Sequence, residues 1–343
     1  MPVINNSGNQ TITQYNVQTG GANNVLNNVT TGSAGQILTS NGAGAQPTFQ
    51  AAAGGSATVV TQYTASGTWT KNASTKFVEV FIFGGGAGGG SGRKGASTTA
   101  GGGSGGSGGV GAYFSGPQAF FGATETVTIG GAAGGGAAQT TNLTNGIDGT
   151  AANSSIFGNQ QSAVALVSLG LSGINGTAAG GQSGTQVSSL AANATFIANG
   201  GSGTNTTGTT ALNLATPFLC GSGGGGGSGH DTVTARQAGD GGAFKENDSG
   251  STTITAGGLG GIQSGTINGG PGNTPTLTGG TFTAGTGGGG GGGAKVAENG
   301  GTGGNGGTPS GGGGGGGGGI TAVTNSGAGG IGARGEIWVV EHL

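Results

Sequence analysis

The chain has 343 residues, of which 95 are glycine, about four times the usual share of roughly 7%. Only 5% of its residues are charged, against about 25% in ordinary soluble domains, and the formal net charge is -2, which leaves no basic footprint for nucleic acid. Cys220 is the one cysteine, so no intrachain disulfide can form, and no apolar run approaches the roughly 18 residues of a membrane span.

Residues 1–55 are rich in Asn, Thr, Gln and Gly and read as an attachment or assembly arm. Its strand-forming piece is 11–17, with Ile12, Tyr15 and Val17 as the residues that would seat it on a neighbour. The opening Met1-Pro2-Val3-Ile4-Asn5-Asn6 lacks the basic start and apolar core of a signal peptide, which predicts a virion component or a filament exported by another route. Around Asn41-Gly42, the pairs Ile37-Leu38 and Thr48-Phe49 predict a short hairpin. Residues 51–56 read as a linker.

Residues 56–343 form the main domain. Strands are expected over 57–64, 67–70 and 77–83. In 77–83, Val78, Val80 and Ile82 share one face, while Phe77, Glu79, Phe81 and Phe83 share the other. The C-terminal segment 336–342 is its counterpart and is expected to pair with it, with Trp69 and Trp338 as core anchors of that sheet. Short β-prone pieces such as 113–114, 120–121, 126–129, 164–167, 195–197 and 252–255 lie between glycine runs. The longest runs are 223–227, 287–293 and 311–319.

A glycine run has no helix propensity and nothing to bury, so it reads either as a flexible linker or as polyglycine II. Polyglycine II has three residues per turn and about 3.1 Å rise, and it bonds only to neighbours because it cannot bond internally. The short apolar segments and low charge argue against disorder. No Gly-X-Y phase exists, which excludes a collagen triple helix. The expected fold is therefore mostly β and irregular: a glycine-rich body of bundled polyglycine II helices and short antiparallel strands, with little or no α-helix.

No catalytic group, metal-ligand set or cofactor site can be nominated. With 95 glycines, matches to G-x-G-x-x-G carry no information, and no phosphate loop of the G-x-x-x-x-G-K-[ST] type is present. The pair His230-Asp231 lacks a convincing partner, since Cys220 is the only thiol and no second histidine is near in sequence, and reads as a solvated loop pair. Glu79 and Glu125 read as solvated, and the ten carboxylates are scattered. Recognition usually sits on loops of a rigid scaffold. The candidates are Arg93, Lys94, His230, Asp231, Arg236, Asp240 and Lys245, with Phe218 and Phe244 available to stack on sugar rings.

The segment 31–50, with its pattern G-x-x-G-Q-x-L-x-S-N-G-x-G-x-x-P-x-aromatic, resembles a module near the start of phage tail-fibre proteins. The apolar strand 78–83 entering glycine-rich sequence, closed by 337–340, is similar to the glycine-rich domain of such fibres, whose related adhesins pack polyglycine II helices and read host receptors with loops. The resemblance implies a structural, non-enzymatic tail-fibre or adhesin protein. Its expected state is a homo-oligomer joined to other fibre or virion proteins, and its expected target is a bacterial surface glycan or outer-membrane protein. Two rival readings remain: an extracellular filament subunit joined through its N-terminal arm, whose Asn-x-Ser/Thr sites and abundant Thr and Ser are compatible with a glycan coat, or a tailspike enzyme acting on host polysaccharide.

Overall fold

The computed structural model describes residues 18–20, 26–29, 33–34, 36–42, 45–51, 57–95, 99–109, 111–161, 221–231, 237–242, 244–245, 253–255, 258–262, 267–274, 285–294, 298–320 and 324–343. The chain divides into two compact units, Met1–Thr58 and Val59–Leu343. In the first, β1 (Gln18–Gly20) pairs antiparallel with β2 (Leu26–Asn28), and β3 (Gln36–Thr39) with β4 (Thr48–Ala51). The second pair is a hairpin around Asn41-Gly42. Gly42 takes φ +98°, where a side chain would be strained, and Asn41 Nδ2 donates to the Gln46 carbonyl at 2.6 Å. Ile12, Tyr15 and Val17 lie outside the described residues, as do 164–167 and 195–197.

The second unit contains β5 (Thr58–Tyr63), β6 (Gly67–Thr70), β7 (Phe77–Phe83), β8 (Lys94–Gly95) and β9 (Thr99–Ala100). Next come β10 (Gly111–Pro117), β11 (Thr124–Thr128), β12 (Ile156–Phe157), β13 (Gln160–Gln161), β14 (His230–Asp231) and β15 (Phe244–Lys245). The last are β16 (Thr253–Thr255), β17 (Gly319–Ile320) and β18 (Glu336–His342). There is no α-helix among the described residues. The one helical turn among them is a 3-10 turn over Gln118–Phe120, where a short strand was expected around Phe120-Phe121.

Two four-stranded sheets, ordered β10-β7-β18-β5 and β13-β12-β11-β6, face each other across an apolar core. β18 lies antiparallel beside β7, with Val339 opposite Val80 and Ile337 opposite Ile82. Val78, Val80, Ile82, Ala112, Ile337 and Val339 from the first sheet meet Trp69, Val127 and Phe157 from the second. Trp69 is thus a core anchor, as expected, but from the opposing sheet rather than from the sheet of 77–83 and 336–342. It lies 5.4 Å from the Phe157 ring and edge-on to Phe121 at 6.2 Å. Trp338 is not a core anchor: strand alternation puts it on the opposite face from Ile337 and Val339, where it is only partly buried. Glu341 dips into the core, where it accepts from Thr75 Oγ1 at 2.7 Å and the Asn72 N–H at 2.9 Å.

From this sandwich the glycine runs leave as extended rods whose amides bond outward with a period of three. The rod 310–319 shows the rule. Gly312, Gly315 and Gly318 donate to Ser222, Gly225 and Ser228; Gly313, Gly316 and Gly319 donate to Ala87, Gly90 and Arg93; Gly314 and Gly317 donate to Gly304 and Gly301. Its carbonyls accept from three further rods, at Gly103 and Gly106, at Gly288 and Gly291, and at Gly327 and Gly330. Three residues per turn with every bond made to a neighbour is the polyglycine II pattern.

The rod 310–319 therefore has six neighbours, and these close into a ring around it. The order is 84–93, 101–109, 221–229, 285–294, 299–307 and 324–335, each bonded to the next and the last to the first. Rods 130–137 and 147–155 flank one side of the ring, and 237–242, 258–261 and 267–273 flank the other. Successive rods alternate in direction, so their connections fall at two ends. One end is the sandwich, which 84–93, 101–109 and 324–335 join directly through β7, β10 and β18.

Space, not backbone conformation, demands glycine in the rods. Among the described glycines only Gly42 and Gly158 have positive φ. A methyl group on Gly315 would overlap the carbonyl of Gly103, whereas on Gly131 it would meet nothing within 4 Å. A rod with neighbours all round has glycine at every position, as 311–319 does. A rod on the outside admits a side chain at every third residue: Asn299, Thr302, Asn305 and Thr308 follow one outer edge. There the side chains replace the missing neighbour rod. Asn299 Oδ1 accepts from the Asn325 N–H at 2.8 Å, and Asn305 Oδ1 from the Ile331 N–H at 2.9 Å.

The substitution Gly315→Ala is expected to destabilise the protein by about 3 kcal/mol or more, because no flexible side chain can move aside for the new methyl. Gly131→Ala is expected to be neutral or to stabilise by up to about 1 kcal/mol. Denaturant unfolding of both variants checks this, and equal effects would contradict the packing described.

Candidate functional site

The end of the rods away from the sandwich gathers several of the charged residues singled out in the sequence. Here β8 pairs parallel with β17, with Lys94 opposite Gly319, and β9 pairs antiparallel with β14, with His230 opposite Ala100. The stretch 138–146 returns the chain from rod 130–137 to rod 147–155 and bridges to Lys94 through Thr144.

Arg93, Lys94 and His230 meet at this end but are not on solvated loops. They are 7%, 7% and 2% exposed. The His230 Nδ1–H donates to the Ala294 carbonyl at 2.8 Å, which replaces the expected solvated His–Asp pair with a buried tie between two rods. Asp231 continues β14 through its backbone. Asp240 sits within rod 237–242, not in a loop, and its Oδ1 accepts from the Gly260 N–H at 2.6 Å, again in place of a neighbouring rod. Lys245 pairs with Thr253 in the β15–β16 ribbon. Arg236 and Phe218 lie outside the described residues. Arg93, Lys94, His230 and Asp240 thus do not form one exposed surface.

The electrostatics of Arg93 and Lys94 are unusual. Lys94 Nζ donates to the Thr140 carbonyl at 2.9 Å and to Asn325 Oδ1 at 3.0 Å. Arg93 Nη1 donates to Asn145 Oδ1, and its Nε is buried with no hydrogen-bond partner. Neither cation has a carboxylate within ion-pair distance among the described residues. Above them, Leu143 takes φ 59°, a left-handed conformation that costs a branched side chain of this kind on the order of 1–3 kcal/mol. Leu143 and Ile147 are 61% and 50% exposed.

A second polar cluster lies on the outer face of the β7–β18 sheet, and reading the sequence alone left it unassembled. Tyr113 Oη donates to Glu79 Oε1 at 2.5 Å, and His342 Nε2 lies 2.9 Å from Glu79 Oε2. Phe81 stacks on Tyr113 at 4.9 Å, and Phe77 leans on His342 at 6.1 Å. Partial burial raises the Glu79 carboxyl, but the bonds from Tyr113 and His342 and the charge of His342 outweigh it and leave the value below the ordinary 4.5. Burial, and then the neighbouring Glu79, push the Tyr113 hydroxyl above 10.0. The outward faces of the two strands carried the signal, but only the register puts Glu79 diagonal to His342.

Among the described residues no group of three His, Cys, Asp or Glu side chains gathers as metal ligands. No helix among them is long and apolar enough to cross a membrane. Compared with protein-family models and with curated proteins, the sequence matches none.

A depressed carboxyl contributes stability above its unfolded value and loses it as pH falls through the folded one. The Tm advantage of the wild type over Glu79→Gln is therefore expected to be full at neutral pH and to shrink below about pH 4.5. Melting curves between neutral pH and the acid limit check this, and a gap that stays constant throughout would contradict the ionic role of the cluster.

Proposed function

We propose that the chain is a structural, non-enzymatic fibre protein of the phage tail-fibre or adhesin kind, whose rigid glycine lattice presents loops to a bacterial surface. The observation that carries this reading is the closed ring of six rods around 310–319. Among the described residues, twelve rods running up and down by turns spend their amides on one another, so the body behaves as a stiff shaft. Every other connection is then delivered to the end away from the sandwich, where loops are held by a scaffold that does not yield.

The sandwich end supports the same reading. The β7–β18 pairing ties residues far apart in sequence, so the shaft is anchored on a packed apolar core. The N-terminal arm, with Ile12, Tyr15 and Val17, is assigned to attachment, either to a neighbouring copy or to other fibre and virion proteins. The expected location is a virion or an extracellular fibre, the expected state a homo-oligomer, and the expected target a surface glycan or an outer-membrane protein.

Electron microscopy of the full chain beside a version lacking residues 1–55 tests this. Discrete particles of fixed length that still adhere to bacterial cells are expected. Open-ended filaments that vanish on truncation would replace the adhesin with a polymerising filament subunit. Release of sugars from a host polysaccharide would replace it with an enzyme.

A further inference from the structure

We infer that the loop end of the lattice holds an oxyanion site built on Arg93 and Lys94, with the stretch 140–147 as its cover. Its ligand would be a carboxylate or phosphate carried on an acidic surface saccharide; the saccharide, though not the anion, rests on the fibre reading above.

Three observations converge on it. Two adjacent cations are buried to 7% exposure, and among the described residues their side chains meet only neutral acceptors. Removing a guanidinium or ammonium from water without a counter-charge is costly, and amide oxygens return only part of what is lost. The Arg93 Nε–H is also buried and unpartnered, which leaves the flat edge of a guanidinium one donor short. That edge suits an oxygen pair of a carboxylate or phosphate, which accepts two parallel bonds from the fork.

The third observation is the cover. Leu143 is held at φ 59° with its side chain 61% exposed, and Thr140, Thr144 and Asn145 in the same stretch are the groups that contact the two cations. Conformations of this kind concentrate at ligand clamps. Leu143 and Ile147 offer an apolar rim against which the face of a sugar ring can lie. If the two cations served only to cap the rod ends, an oxygen acceptor on the Nε–H would be expected as well.

The test uses the full chain and its three arginines, Arg93, Arg236 and Arg334, whose side-chain Nε–H resonances are few enough to follow one by one. Inorganic phosphate and glucuronate are each titrated at constant ionic strength. The expected result is a saturable shift of the Arg93 resonance with at least one of them, with Arg334 unmoved, and binding at least ~10-fold weaker in Arg93→Gln. Saturation by phosphate alone points to a phosphorylated saccharide, and by glucuronate alone to a uronate. No saturable shift, or equal shifts at all three arginines, would overturn the site. Should Arg93→Gln fail to fold, the wild-type titration decides alone. Cell adhesion with a silent Arg93 would remove this site and leave the fibre reading standing; anion binding without adhesion would do the reverse.

Discussion

A threefold extended helix cannot bond to itself, and everything else in this protein follows from that. Each amide of the rod 310–319 finds its acceptor on a different neighbour, so no rod is stable without the others. Three-way bonding brings backbones so close that a Cβ would sit inside the next chain's carbonyl, as at Gly315 against Gly103. Ordering glycine costs roughly 0.5–1 kcal/mol per residue relative to alanine. Here that cost is offset by lateral hydrogen bonds, each worth about 0.5–1.5 kcal/mol net, while the close approach leaves no room for a larger residue.

The lattice also dictates where sequence variety is allowed. Side chains appear where a rod lacks a neighbour, and several are chosen to imitate one: Asn299, Asn305 and Asp240 each offer an oxygen to an outward N–H that would otherwise go to an adjacent rod. Apolar residues collect elsewhere, in the sandwich that 77–83 and 336–342 form with their partners. The molecule thus has two kinds of core. One is apolar and conventional, and the other is a hydrogen-bonded body nearly free of side chains.

Much of the fold was legible because these two materials look different in sequence. The alternation in 77–83 and 336–342 and the length of 311–319 announced strands and threefold rods without α-helix. What could not be read was which rod neighbours which, since glycines carry no pattern to specify a partner; only the third-residue side chains of the outer rods hint at position. Trp69 belongs to the other sheet from the one expected, because its segment 67–70 reads as a strand without stating that 124–128 is its partner. Arg93, Lys94 and His230 read as exposed loop residues because a charge beside a glycine run looks like a turn, whereas they continue rods and are buried. The Glu79–Tyr113–His342 cluster needed a register that the sequence does not state.

The central claim is that the glycine runs are ordered by bonds to one another. Amide hydrogen exchange on the full chain tests it most directly. The account predicts that the N–H groups of 312–319, at the centre of the ring, exchange only through global unfolding and are among the slowest in the molecule. Exchange of 312–319 at the rate of an unprotected chain, while the amides of β7 and β18 stay protected, would make the runs linkers and the lattice wrong.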